Sequence, residues 1–422
     1  QPEACLVTGI TPQQALAEGV NEAEFFALVH AELARSGTCG VGYNSIRFDD
    51  EVTRYGLYRN FFDPYAREWQ NGNSRWDIID MLRLTHALRP EGIEWPEDEN
   101  GVVSFRLERL TASNGIAHQG AHDALADVYA TIAVARLVKE RQPRLFDYLL
   151  KLRDKRRVAA LLDLRQKQPV LHVSSMYPAN RGCIAMVAPV ARHPTNSNGI
   201  IVFDLRQDPE ALLECSAEEI AERLFTPRDE MPDGKERIAL KTVHLNKCPV
   251  VVPMTTLTEQ AAARWDLDPA VAERHRQQLQ GAVGLEQKIQ SVHASRRFEP
   301  INDPDRNLYG GGFFSDGDRR RMEQIRQMSP RELARSELCF DDGRLPEMLF
   351  RYRARNYPDS LSDVERAQWE EQRFQYLTDP EAGASITMDD FHAEIEQLSQ
   401  SATPEQQAVL DALLEYGDSL LA

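Results

Sequence analysis

Four apolar runs, Pro169–Ser174, Ala185–Val190, Gly199–Leu205 and Ala239–Leu245, follow one another with turn residues between them. This block constrains the fold more than any other feature. Such runs read as strands and predict a small β-rich domain in the middle of the chain. On either side the pattern changes. Residues 5–142 alternate strand-like with helix-like segments, which predicts an α/β domain. From about Pro300 onward the chain is charged and helical. A chain of 422 residues suits two or three cores. The boundaries read from these shifts are 1–142, 143–296 and 297–422, with Gln142–Asp154 as a linking helix.

Local signals place the elements. Thr11-Pro12-Gln13-Gln14 predicts a helix start, with Thr11 capping, Pro12 in the first turn and Gln14 reaching back. The helix is expected to run to about His30, with Phe25, Phe26, Leu28 and Val29 on or near its apolar side. Thr38–Tyr43 reads as a short buried strand, and a helix follows Phe48. Ala121–Lys139 predicts a strong helix with Leu125, Val128, Ile132 and Leu137 near helical spacing. Ser216-Ala217-Glu218-Glu219 carries a capping box, and Ser329–Glu332 and Thr403–Gln406 repeat that signature. The acidic stretch Glu94–Asn100 reads as an exposed loop. No apolar run reaches the ~20 residues of a membrane span, so no membrane association is expected.

The six cysteines are scattered and form no C-x-x-C pair, which argues against a zinc site and for reduced core thiols in a cytoplasmic protein. The chain opens on Gln1-Pro2-Glu3-Ala4-Cys5 with neither a Met nor a secretory pattern. It is therefore expected to begin inside a longer protein. The formal net charge of −17 argues against loose attachment to duplex DNA. It leaves room for a local basic channel.

Two constellations carry chemistry. In Asn44-Ser45-Ile46-Arg47-Phe48-Asp49-Asp50-Glu51 a strand runs into paired acids, a place suited to a hard cation with oxygen ligands. The plainer account is a helix capped by Asp49, with Asp50 and Glu51 solvated. In His122-Asp123-Ala124-Leu125-Ala126-Asp127 a histidine that titrates near neutrality precedes a helix, and an acid lies about a turn further in. Asp127 interrupts small and apolar residues, so its carboxylate needs a partner.

Together these segments resemble the second and third motifs of the DEDD family of 3′-to-5′ exonucleases, in its histidine branch. The likeness extends further. Val7–Pro12, Asn73–Asp77, Ala87–Gly92, Ser104–Glu108, Val243–Pro249, Gly312–Asp316 and Phe350–Asn356 are similar to segments of bacterial exonuclease I, in the same order. That resemblance implies a ribonuclease-H-like α/β exonuclease domain, an SH3-like β-rich domain and a helical C-terminal domain. It implies degradation of single-stranded DNA to 5′-mononucleotides by two Mg²⁺ ions, in repair and recombination. It also implies Asp49 and Asp127 as metal ligands and His122 as general base.

The family's first motif, an Asp-x-Glu on the opening strand, has no counterpart before Asp49. The chain is accordingly expected to be truncated ahead of its first strands, and as it stands not to hydrolyse DNA. A DNA- or partner-binding fragment is the alternative, and an RNA-trimming exonuclease of the same superfamily is the runner-up enzyme. A strand path needs aromatics for bases and cations for phosphates. The resemblance places Arg54, Tyr65, Trp69, Arg83, Phe105 and Arg106 on it. Lys155 at the start of the second domain joins them, as do Tyr309, Phe313 and Phe314 around a glycine turn. For Tyr65, Trp69 and Phe105 the rival account is core packing. The resemblance further implies a monomer that binds the acidic C-terminal tail of the single-stranded-DNA-binding protein, with Arg89 and Tyr148 at positions of that kind.

Overall fold

The computed structural model describes residues 1–118, 124–232, 234–294 and 301–421. Two compact units emerge. One comprises Gly37–Phe48 and Gly72–Glu299; the other comprises Gln1–Ser36, Asp49–Asn71 and Pro300–Ala422. Stretches 1–36 and 49–71 thus cluster with the C-terminal end of the chain, although in sequence they lie within residues 1–142.

The first unit contains two sheets. Strands β1 (Cys39–Gly42) and β2 (Ser74–Asp77) pair in parallel, with Cys39 opposite Ser74 and Gly42 opposite Asp77. β1 was expected to be buried, but Val41 is 50% exposed. Among the described residues β1 has β2 as its one strand partner. The second sheet is antiparallel, built from β3 (Val170–Val173), β4 (Ile184–Arg192), β5 (Gly199–Asp204), β6 (Leu240–His244) and β7 (Val250–Pro253), in the order β6-β5-β4-β3-β7. β3 is buried throughout and β4 at all but its last residue. Both faces are covered along β3, β4 and most of β5, which is why those strands read as continuous apolar runs, whereas Lys241, Thr242 and His244 of β6 are only partly buried. The Leu285–Ala294 helix packs on β4, and the Ile79–Leu88 helix packs on β3, β4 and β7. Met81, Leu82 and Leu84 therefore share one core with Leu171, Val187 and Val251. The register slips between Pro189 and Ala191, where proline has no N–H to give the ladder.

The second unit is helical. Tyr58 and Phe61 pack with Leu308, Met322, Ile325, Leu345 and Met348. The Glu22–Leu33 helix lies beside the Asp49–Arg59 and Leu345–Asn356 helices, and Asn356 Oδ1 accepts the Ala23 N–H at 2.8 Å. Gly56 lets Phe26 approach: a Cβ there would sit 1.8 Å from Phe26 Cζ.

Several expectations need correction. The helix from Pro12 does not reach His30. It ends at Glu18, and Asn21 caps a separate helix, Glu22–Leu33. Thr11 caps Gln14 as expected, but the Gln14 side chain turns forward to Glu18. Phe26 is buried, whereas Phe25 and Leu28 are exposed. The helix expected from Ala121 is described over Ala124–Arg141 and buries Ala130, Thr131, Val134 and Val138. Leu125, Val128 and Ile132 are exposed, while Leu137 packs against the core. Both stripes have helical spacing, and spacing alone does not say which one meets a neighbour. The strand Val250–Pro253 was not anticipated. The capping boxes at Ser216 and Ser329 are present, as is the reciprocal pair of Thr403 and Gln406. No disulfide forms among the described residues, and Cys339 is exposed rather than in a core.

Candidate active site

In the first unit, the end of β2 shapes the loop that leads toward Asp49. Asp77 is buried and accepts backbone N–H groups from Asn44 (2.8 Å), Ile46 (3.2 Å) and Ile79 (3.1 Å). Burial raises its pKa and these three bonds oppose the rise. Asn44 adopts a left-handed backbone, φ 57°, an asparagine-tolerant conformation. The sequence reading gave Asp77 no role, since a lone acid ending a strand carries no pattern.

Asp127 sits about one turn inside the Ala124–Arg141 helix, with its side chain 44% exposed. Its partner is His118, whose Nε2 lies 2.8 Å from Asp127 Oδ1. Facing a carboxylate, that nitrogen carries the proton. Nδ1 is 3.2 Å from Thr111 Oγ1, so the ring is held from both sides. His118 went unnoticed in the sequence because nothing local ties it to a position nine residues on. His122 lies outside the described residues.

Arg83 pairs with Asp80 at 2.5 Å and rests 5.7 Å from the Phe105 ring centroid. Phe105 also accepts, through its carbonyl, the Tyr43 hydroxyl at 2.6 Å. Arg106 is exposed. Lys155 Nζ donates to Asn198 Oδ1 at 2.9 Å. Arg89 donates to the Thr256 carbonyl at 3.1 Å. Tyr148 is half-buried against the core, and burial raises its pKa.

In the second unit, Asp49 begins the Asp49–Arg59 helix. Burial raises its pKa, and the neighbouring Asp50 charge adds to the rise. Asp50 is not solvated, as the plainer account had it. It is 6% exposed and paired with Arg67 at 2.8 Å. Glu51 pairs with Arg54 at 2.8 Å and accepts the Tyr309 hydroxyl at 2.5 Å. Arg54 is buried, with a two-pronged contact to Glu68 at 2.7 and 2.9 Å. Burial alone would lower its pKa; the Glu68 bond and charge reverse this and raise it. Its guanidinium lies 5.4 Å from the Tyr65 ring centroid. Tyr65, Tyr309, Phe313 and Phe314 line one cavity of about 400 Å³. Phe313 is 85% exposed, and Phe314 stacks on Tyr58 at 5.9 Å. Trp69 is 66% exposed. Four aromatics chosen from the sequence thus meet at one place, with Arg54 behind Tyr65 and Tyr309.

Among the described residues no group of three or more His, Cys, Asp or Glu side chains converges as a metal cage. The donor chemistry of Asp49 and Asp127 is nonetheless that of a hard divalent ion, carboxylate oxygen in each case.

Comparison with known proteins adds three family matches in chain order. They are an exonuclease domain over residues 1–135, an exonuclease I SH3-like domain over 153–295 and an exonuclease I C-terminal domain over 302–420. Exodeoxyribonuclease I of Escherichia coli is 45% identical over 424 residues, covering 100% of this chain and 88% of that protein. The solved exonuclease I of Methylocaldum szegediense superposes with a TM-score of 0.96 at 52% identity, covering 100% of this chain and 89% of that one. The zinc-bound form of the E. coli exonuclease I–single-stranded-DNA complex gives 0.94 at 45% identity, with the same coverage.

Proposed function

This chain belongs to the exonuclease I family and is a 3′-to-5′ exodeoxyribonuclease acting on single-stranded DNA; we propose that Asp49 and Asp127 serve it as metal ligands and His122 as general base. The observation that carries the assignment is the hold on Asp127. His118, steadied by Thr111, engages one carboxylate oxygen and leaves the carboxylate part-exposed. A ligand carboxylate oriented by a second hydrogen bond is the usual arrangement at a metal site. Asp49, raised by burial and by Asp50, is a carboxylate whose ionised form a nearby cation would favour.

Mg²⁺, when bound, would lower the pKa of an attacking water and neutralise charge on the scissile phosphate. The protein's own part is to hold the two carboxylates, to take the water's proton at His122 and to grip the strand. For the grip we assign Arg54, Tyr65, Trp69, Tyr309, Phe313 and Phe314, together with Arg83, Phe105, Arg106 and Lys155. Stacking of bases on aromatics is sequence-tolerant, which suits an enzyme that removes any nucleotide. Arg89 and Tyr148 are assigned to the C-terminal tail of the single-stranded-DNA-binding protein, an Arg beside an apolar surface being what a terminal carboxylate needs. Repair and recombination, a cytoplasmic setting and a monomeric state complete the proposal. No helix among the described residues is long and apolar enough to cross a membrane.

The test is Asp127→Asn in the full-length protein. Mononucleotide release should fall by at least ~10²-fold with oligonucleotide binding and melting temperature retained. Turnover within threefold of wild type would remove Asp127 from the metal site.

A further inference from the structure

In the second unit, Tyr309-Gly310-Gly311-Gly312-Phe313-Phe314 sets three glycines between aromatic side chains. Glycine loses more conformational freedom on ordering than any other residue, and this segment lies in no helix or strand. An aromatic carried on such a turn has a defined position only if something outside the turn holds it. Phe313, 85% exposed, has little packing of its own. Arg344, just ahead of the Leu345–Asn356 helix, reaches the turn with a side chain only 11% exposed. Nε and Nη2 fork onto the Asp342 carboxylate at 2.9 and 2.8 Å. Nη2 also donates to the Gly312 carbonyl at 3.1 Å. Nη1 donates to the Asn307 carbonyl at 3.0 Å and to the Tyr58 hydroxyl at 3.3 Å. The two carbonyls bracket the glycine run. The guanidinium also lies 4.4 Å from the Phe314 ring centroid. It packs so closely on Gly311 that a Cβ there would clash with Nη1. Asp342 is fixed in turn, since its N–H donates to the fully buried Asp318 at 3.0 Å.

We infer that Arg344 is a positioning residue, which pins the glycine turn so that its aromatics meet the strand already in place. The inference rests on the assignment of Tyr309, Phe313 and Phe314 to the strand grip. A guanidinium has five N–H groups, and each of them here has an acceptor within the protein. None is left for a phosphate, so Arg344 acts through the turn and not on the DNA. An ordered turn binds more tightly than a loose one because the ordering cost is met before the strand arrives. Lysine keeps the charge but donates from a single point, so it cannot reproduce the fork.

The experiment uses the full-length protein with divalent ions chelated, comparing wild type, Arg344→Lys, Phe313→Ala and the double variant. It follows affinity for a thymidylate 13-mer and amide hydrogen exchange across residues 309–314. Arg344→Lys should bind the 13-mer roughly tenfold more weakly. Its exchange should quicken across 309–314 while the Leu345–Asn356 helix stays protected. The double variant should lose much less than the sum of the two single losses, because both act through the same turn. Should Arg344→Lys not fold, Asp342→Asn loosens the same fork from a side chain 20% exposed and should give the same pattern. Unchanged exchange across 309–314, or protection lost throughout the unit, would overturn the inference. So would a wild-type affinity in Arg344→Lys, since lysine serves as well as arginine for a simple phosphate contact, and so would fully additive losses. Phe313→Ala binding as tightly as wild type would instead remove Phe313 from the strand grip, and the exchange arm would still decide whether Arg344 holds the turn.

Discussion

Replacing Arg54 with Met separates a residue that grips DNA from one that holds the fold. Arg54 has a side chain only 4% exposed, and the Glu68 side chain that it holds with two bonds is only 9% exposed. The Met side chain fills most of the space but takes from Glu68 its two-pronged partner, leaving Arg67, 4.0 Å away, as a more distant cation. Breaking a buried pair on one side costs about 3–5 kcal/mol. Glu51, at 29% exposed, is closer to water and adds little. The loss should appear as a lower guanidinium midpoint, read by tryptophan fluorescence. Removing both charges in Arg54→Met/Glu68→Leu should restore most of the stability, because a buried pair replaced by apolar side chains is often neutral. The stable double variant then reports function: weakened oligonucleotide binding marks Arg54 as part of the grip. A single Arg54→Met variant within about 1 kcal/mol of wild type would refute the reasoning, because Glu68 would then have found water or another donor.

His118→Ala should lower kcat about 10- to 100-fold with KM nearly unchanged, as expected when a ligand loses its orienting partner, and His118→Gln should recover part of it; steady-state kinetics on an oligonucleotide decide, and an unchanged kcat would leave His118 with a packing role alone. Acid should weaken the first unit. Burial, helped by the Arg264 charge, lowers His86 to about 4; burial also lowers His244 to about 4 and moves His172 in the same direction. Because the unfolded histidine, with a pKa near 6.5, binds the proton first, this stability is present above pH 6.5 and is lost as pH falls toward 4. For His86 alone the loss approaches about 3 kcal/mol at 1.36 kcal/mol per unit. Melting temperatures at pH 7, 6 and 5 should fall steadily, and less steeply in His86→Phe; a flat profile would contradict the histidine account.

What the sequence disclosed follows the range of the physics involved. Capping at Ser216, Ser329 and Thr403 acts over three residues, and those helix starts were legible. Strands buried on both faces announce themselves as apolar runs, so β3 to β5 were found; β6, only partly buried, was legible from the turn residues around it. β7 is no shorter than β3, but it is an edge strand that ends in a proline, and proline weakens a run's reading as a strand. The buried face of the Ala124–Arg141 helix was misread because two stripes share one spacing. The acids gave the hardest case. Asp49 and Asp127 stood out through motif likeness, but the burial of Asp50 depends on Arg67, 17 residues away. The His118 hold on Asp127 depends likewise on chain closure that no local pattern encodes. Arg54 was placed on the strand path by resemblance, and only the folded chain reveals its commitment to Glu68.

The most direct test follows a single-stranded oligonucleotide labelled at either end, incubated with the full-length protein and Mg²⁺. The account predicts that a 3′ label leaves first as a 5′-mononucleotide, that a 5′-labelled strand shortens stepwise, and that a chelator stops both. Release starting at the 5′ end, internal cleavage into long fragments, or undiminished hydrolysis in the chelator would contradict it.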